Sequence, residues 1–168
     1  VRDGTLTTNK ILDRLREYVI KSLKQTGEEG GSKDGMDIAL TIINHETMEA
    51  QFSGAYNPLY LLRDGEIETI KADRMPIGYH IKVNAPFTKN EVELQKGDRL
   101  YMFSDGYPDQ FGGEKGRKFM SKRFKQLLIE TGELSMEEQK KVLDEEIEAW
   151  MGENYTQIDD IIVVGIQI

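Results

Sequence analysis

Apolar residues change their spacing along the chain, and each spacing predicts a different element. From Thr8 to about Gln25 they recur every three or four residues, which predicts a helix with one buried face. Polar, glycine-rich sequence at 26–35 then predicts a loop. Two further helical patterns cover 121–130 and 135–151. The last of these begins at Ser135, and Glu138 three residues later completes a capping box.

Short apolar runs bounded by turn residues predict strands between these helices. The predicted strands cover residues 36–43, 48–53, 59–63, 66–70, 92–94, 99–103 and 161–168. Asp64-Gly65 predicts a two-residue hairpin, because both central positions of such a turn favour positive φ. Helices and strands are segregated along the chain, so the predicted fold class is α+β, with helices covering an antiparallel sheet. The last strand is expected to insert into that sheet.

Two predicted strands carry carboxylates at one end. The strand 99–103 runs into Ser104-Asp105-Gly106, and Asp159 and Asp160 precede a last strand that looks equally buried. Carboxylate oxygens are the ligands that Mg²⁺ and Mn²⁺ prefer, and two strand ends together can supply them. Local pattern alone nevertheless favours a plain Asp-Gly turn and a polar strand entry. The full set of candidate acids is Asp34, Asp37, Asp98, Asp105, Asp109, Asp159 and Asp160.

Composition removes several classes of function. A net charge of −8 argues against a nucleic-acid surface, and the absence of cysteine excludes disulfides and thiolate metal sites. With only two histidines, a histidine-rich metal site or a histidine-based triad is not expected. No apolar run reaches membrane-spanning length and no signal-peptide core is visible, so the predicted location is the cytoplasm.

The glycine-rich sequence after Asp105 is a second candidate for a functional site, namely a phosphate-binding loop. Residues 112–116 lack the glycine and lysine spacing of a phosphate-binding P-loop, so they predict a mobile surface loop within an irregular stretch at 106–118. With 168 residues and no repeat or linker, the chain is predicted to form one domain, 1–168.

Four segments, taken in order, resemble a known family. They are 54–63 with Asn57-Pro58, 76–78 with Pro-Ile-Gly, 96–106 ending in Ser104-Asp105-Gly106, and 159–162 with Asp-Asp-Ile-Ile. Their sequence and spacing resemble the SpoIIE-like bacterial serine phosphatases of the metal-dependent PP2C (PPM) superfamily. The resemblance covers about residue 34 to the C-terminus and makes the metal-site hypothesis much stronger than the local pattern does.

The resemblance implies a fold and a chemistry. The family fold is an α-β-β-α sandwich with a two-metal Mn²⁺ or Mg²⁺ centre, and Asp105 and Asp159 match its metal ligands. The implied substrates are phosphoserine or phosphothreonine proteins, often anti-anti-sigma factors of the STAS type. The resemblance also suggests further residues near the metals or the substrate, namely Gly106, Asp109, Asp34 and Asp160 on the metal side and Asn57 in a substrate-side loop.

The chain also departs from the family. Two earlier motifs, which supply the aspartate that bridges both metals, are not found before Asp34. The chain is therefore expected to be the C-terminal part of an incomplete domain, weak or inactive alone, from a parent attached to a sensor, in some cases at a membrane. Uncovered sheet edges would favour homodimers. The alternative is an inert phosphatase-like module that binds a partner protein, and a plain nucleotide-binding domain has no supporting glycine-rich signature.

Overall fold

The structure is a computed structural model that describes residues 6–28, 31 and 34–168. The predicted loop at 26–35 thus lies partly outside the described residues. The elements, in chain order, are α1 (Thr8–Ser22), β1 (Ile38–Asn44), β2 (Glu49–Ala55), β3 (Leu59–Arg63), β4 (Glu66–Ile70), β5 (Asn90–Glu93), β6 (Arg99–Phe103), α2 (Gly106–Asp109), β7 (Phe111–Gly112), β8 (Arg117–Lys118), α3 (Ser121–Glu130), α4 (Met136–Met151) and β9 (Val163–Gln167). The predicted α+β class is confirmed.

The chain groups into two compact units. The first comprises Val1–Leu59 and Ile70–Gln95, and the second comprises Tyr60–Thr69 and Lys96–Ile168. In the first unit, α1 packs on a sheet of order β1-β2-β5 in which both strand pairs are antiparallel. One cluster of its buried core comprises Leu12, Ala55, Met75, Ile77 and Phe87.

Helix α1 buries a face that is partly polar. Arg16 is 6% exposed, and its Nη2 donates to Asp13 Oδ1 at 3.0 Å and to the Ala85 carbonyl at 2.8 Å. The guanidinium also lies 4.8 Å from the ring centroid of Phe87. The helix therefore fixes the irregular chain before β5 through a charged side chain as well as through apolar ones.

The apolar stripe predicted for this helix, which includes Tyr18 and Leu23, is only partly right. The buried residues are Thr8, Leu12 and Arg16, one every four positions, whereas Tyr18 and Leu23 are 54% and 46% exposed. At 100° per residue, position 18 lies on the far side of the helix from position 16, and Leu23 lies beyond the last turn. The helix ends at Ser22 instead of Gln25, and Lys24 adopts a left-handed φ of 51°.

The second unit contains a sheet of order β4-β3-β6-β9. Asp64 and Gly65 have φ values of 50° and 75°, so the predicted two-residue hairpin between β3 and β4 is confirmed. The core of this unit is aromatic, and helices α3 and α4 contribute Phe124, Leu143 and Ile147 to it.

The last strand does not have the buried character that its sequence predicts. Strand β9 pairs with β6 on one side and ends the sheet order, so it joins an edge instead of inserting between strands. None of its residues is fully buried, and Val164 is 43% exposed. An apolar run identifies the strand but not its neighbours. Homodimerisation through sheet edges stays a prediction.

The capping box predicted at Ser135 is present. Its hydroxyl accepts from the Glu138 N–H at 3.2 Å, and the Ser135 N–H donates to Glu138 Oε2 at 3.0 Å. These hydrogen bonds stabilise the charged form of Glu138 and lower its pKa.

We expect Ser135→Ala to lower the free energy of unfolding by about 1 kcal/mol, because the first turn of α4 loses its cap. Urea denaturation followed by circular dichroism measures this. Ser135→Asn is the control, because asparagine caps the start of a helix about as well as serine does. An equal loss in both variants would contradict the role of the cap.

Candidate metal centre

The two strand ends that carry the predicted aspartates lie side by side. Phe103 pairs with Val163 at the end of the β6–β9 ladder, and Ser104 continues the contact. The Ser104 hydroxyl donates to the Asp160 carbonyl at 2.7 Å and accepts from the Ile162 N–H at 3.0 Å. Because Ser104 immediately precedes Asp105, this hydroxyl joins the chain around Asp105 to the chain around Asp159.

The sequence predicts that Gly106 is needed for a tight turn, but the structure shows a different reason for glycine at this position. Asp105 has helical angles, φ −68° and ψ −13°, and is the N-cap of the short helix α2. A Cβ on Gly106 would lie 2.4 Å from the Asp160 carbonyl oxygen. Glycine is therefore needed here for the close approach of two backbones, and the predicted loop at 106–118 begins with a helical turn.

Three carboxylates lie at this junction. Asp105, Asp159 and Asp160 are all exposed. The Asp160 N–H donates to Asp159 Oδ1 at 2.8 Å, which orients the Asp159 carboxylate relative to its own backbone. Aspartate oxygens suit a hard divalent cation. Among the described residues, however, these three side chains do not form one group that could hold an ion by themselves.

The other predicted site residues, two on the metal side and one on the substrate side, have different surroundings. Asp109 forms a 2.6 Å ion pair with Lys118, and both side chains are near 40–45% exposed. Asp34 belongs to the first unit, where its carbonyl accepts from Gln25 Nε2 at 2.5 Å. Asn57 also lies in the first unit, in a turn where its N–H donates to the Ala55 carbonyl at 2.7 Å.

One candidate acid has a clear structural contact. Asp98 is 1% exposed and accepts two hydrogen bonds from Arg63, at 2.8 Å and 2.6 Å. This contact raises the pKa of Arg63. The pair joins the end of β3 to the residue before β6.

In residues 6–28, 31 and 34–168, no three histidine, cysteine or acidic side chains form a group able to hold a metal ion together.

Aromatic side chains on both sides of Asp105 in the chain anchor its turn in the buried core. Phe103 and Tyr107, two residues before and two after Asp105, both contact the fully buried ring of Phe124, with centroids 5.1 Å and 4.6 Å away. The Tyr107 hydroxyl donates to the Leu143 carbonyl at 2.7 Å. Burial, together with the nearby charge of Glu146, raises the pKa of Tyr107, so the phenol keeps the proton that it donates.

Two residues at the site were not predicted to have a role. Ser104 was noted only as part of the Ser-Asp-Gly sequence, although a hydroxyl before Asp105 was a usable signal. Gln110 gave no signal, because a single glutamine beside glycines resembles loop sequence. It is fully buried, and its carboxamide contacts residues 156 and 158, next to Asp159.

The predicted surface loop at 112–116 is instead part of a β7–β8 hairpin packed against Trp150.

Among the described residues, no helix is both long enough and apolar enough to span a membrane. Comparison with curated protein sequences returned no match.

Solved structures that match this fold include PP2C phosphatase domains. The chain aligns with the SiaA-PP2C domain of Pseudomonas aeruginosa at 27% identity and a TM-score of 0.84, covering 98% of this chain and 62% of that one. The Mn-presoaked SpoIIE phosphatase domain of Bacillus subtilis is 21% identical, with a TM-score of 0.58 and coverage of 100% and 74%. The RsbU and RsbW domains of a Mycobacterium tuberculosis protein are 16% identical, with a TM-score of 0.68 and coverage of 98% and 42%.

The family of this chain is shown by its match to a protein-family model. The model for stage II sporulation protein E (SpoIIE) matches residues 2–168, so the chain belongs to the SpoIIE family of PP2C-type phosphatase domains. It spans less than two thirds of the SiaA-PP2C chain. The resemblance to this family that the sequence motifs indicated is thereby confirmed.

Proposed function

We propose that this chain is the C-terminal part of a metal-dependent serine/threonine protein phosphatase domain, with Asp105 and Asp159 as metal ligands. The observation that carries the proposal is the junction of the two strand ends through Ser104. It holds the backbone beside both aspartates in one place, as a shared metal site requires.

Mn²⁺ or Mg²⁺ fits the residues present, since every candidate donor here is an aspartate oxygen. When bound in the complete domain, two such ions would activate water for in-line attack on phosphorus and offset the charge on the phosphoryl oxygens. Asp105 and Asp159 would hold the ions, and Asp160 lies next to them in the chain. We place the aspartate that bridges both ions upstream, in the remainder of the domain.

The other predicted residues have lesser roles in this proposal. The ammonium of Lys118 already occupies one oxygen of Asp109, so a further ion at Asp109 would have to displace it. The glycine at 106 permits the close approach of the two backbones, and we place it beside the metal ions. We propose Asn57 and Asp34 for the substrate side and for a further metal, respectively, in the complete domain.

The proposed substrate is a phosphoserine or phosphothreonine side chain of a regulatory protein. Family membership supports the reaction class. A matching structure that combines RsbU and RsbW domains supports a protein as the partner, and an anti-anti-sigma factor of the STAS type is our specific candidate.

The test combines metal binding with turnover. Titration calorimetry measures Mn²⁺ binding to this chain, and phosphate release from a phosphoserine protein is measured with the chain extended by its upstream sequence. We expect Mn²⁺-dependent hydrolysis that EDTA abolishes. Hydrolysis that is insensitive to EDTA would contradict the metal mechanism. Absence of both Mn²⁺ binding and hydrolysis in the extended chain would favour the inert binding module instead.

A further inference from the structure

Gln110 is a buried polar residue between α2 and β7, with 0% exposure. Its Nε2 donates to the carbonyls of Thr156 at 2.9 Å and Phe111 at 3.0 Å. Its Oε1 accepts from the Ile158 N–H at 3.4 Å. Both ends of the carboxamide are thus used, as a buried amide requires.

These contacts bear on the chain that carries Asp159. Residues 155–162 form no regular helix or strand, and 156–160 are all exposed. Exposed irregular chain opens readily unless specific contacts hold it. Gln110 holds this segment before Asp159, at residues 156 and 158, and Ser104 holds it after Asp159, at residues 160 and 162. Asp159 lies between the two anchors.

Gln110 is itself fixed to the end of α4. Its carbonyl accepts from the Phe119 N–H at 2.9 Å and from Trp150 Nε1 at 3.0 Å. The neighbouring Gly113 N–H donates to the Trp150 carbonyl at 2.8 Å. A Cβ at Gly112 would lie 2.0 Å from that same carbonyl oxygen, so the glycine permits the contact. The carboxamide therefore connects the Asp159 segment to a rigid helix end.

We propose that Gln110 is a positioning residue that holds Asp159 in place for the metal ion. Gln110 does not touch the ion or the substrate, and acts through the backbone at residues 156 and 158. This inference rests on the proposed function in so far as it assigns Asp159 to a metal. The anchoring of the segment by Gln110 is independent of that assignment.

The test uses Gln110→Met, which keeps the length and apolar part of the side chain and removes its hydrogen bonds. The matched control is Gln139→Met, because Gln139 is another buried glutamine of the same unit, 2% exposed and bonded to Tyr101 and Thr131. Hydrogen exchange is measured at the Ile158 and Asp160 amides, which donate to Gln110 Oε1 and Asp159 Oδ1. Mn²⁺ affinity is measured by calorimetry in the chain extended by its upstream sequence. Both variants and the unsubstituted protein are compared.

We expect Gln110→Met to weaken Mn²⁺ binding by roughly tenfold, the lower end of the range for residues that orient metal ligands. It should also speed exchange of the Ile158 and Asp160 amides, because the segment before Asp159 loses its anchor. Gln139→Met should change neither. If Gln110→Met does not fold, Gln110→Asn is used instead. It shortens the side chain by one methylene, and we expect it to speed exchange and weaken Mn²⁺ binding as well.

Unchanged exchange and affinity in the Gln110 variant would overturn the proposal. Equal effects in the Gln139 variant would also overturn it, because they would indicate general loosening of the unit. If the unsubstituted extended chain binds no Mn²⁺ while Gln110→Met still speeds exchange of the Ile158 and Asp160 amides, the anchoring is supported and the metal role of Asp159 fails.

Discussion

Asp105→Asn should reduce Mn²⁺-dependent phosphatase activity by at least about 100-fold in the chain extended by its upstream sequence. Residues that only orient a ligand already change metal affinity by roughly 10–100-fold, so loss of a ligand's charge should cost no less. Asparagine keeps the shape of the side chain, and the backbone contacts of Ser104 are untouched. Phosphate release and Mn²⁺ titration measure the effect.

The matched control is Asp64→Asn. Asp64 is another exposed aspartate of the same unit that precedes a glycine, and its φ of 50° suits asparagine well. Activity and Mn²⁺ affinity should be unchanged in that variant. Asp105→Asn with normal activity, or a similar loss in both variants, would remove Asp105 from the metal centre.

Features that depend on neighbouring sequence were predicted well. The capping box at Ser135 and the hairpin at Asp64-Gly65 are both present, because each needs only residues a few positions apart. Helix α3 matches its predicted bounds, and α4 begins one residue after its predicted cap. The family was recognisable for the same reason, since its motifs are short local sequences.

Features that depend on residues far apart in the chain were not predicted. The apolar sequence of β9 indicated a buried strand, yet burial depends on what covers it, and β6 is its single neighbour in the described sheet. Gly106 was assigned a turn, although the structure uses it for contact with Asp160, more than fifty residues later. Gln110 was missed because its carboxamide partners are carbonyl and amide groups, which carry no side-chain signature.

The site prediction falls between these cases. Sequence alone placed Asp105 and Asp159 at the ends of two strands, and the β6–β9 pairing brings those ends together. Neither residue could be preferred over Asp98 on local grounds, since all three adjoin apolar strands. Only the fold shows that Asp98 is buried against Arg63, whereas Asp105 and Asp159 are exposed.

The largest effect on stability is expected for Phe124→Ala. Phe124 is fully buried, and its ring lies within 6.4 Å of the ring centroids of Tyr60, Phe103 and Tyr107. Removing a buried phenylalanine side chain costs about 3–5 kcal/mol through lost contacts and the cavity left behind. Since total stabilities are about 5–15 kcal/mol, this is a large fraction. Urea denaturation followed by the emission of Trp150 reports on this unit.

Phe124→Leu is the control, because it retains much of the apolar volume and should cost clearly less than the alanine variant. Phe103 and Tyr107 flank Asp105 and both rest on Phe124, so the cavity should also loosen the turn between them. Amide exchange at 104–107 should therefore be faster in Phe124→Ala than in Phe124→Leu. Equal stability and equal exchange in the two variants would mean that the aromatic cluster does not support the Asp105 turn.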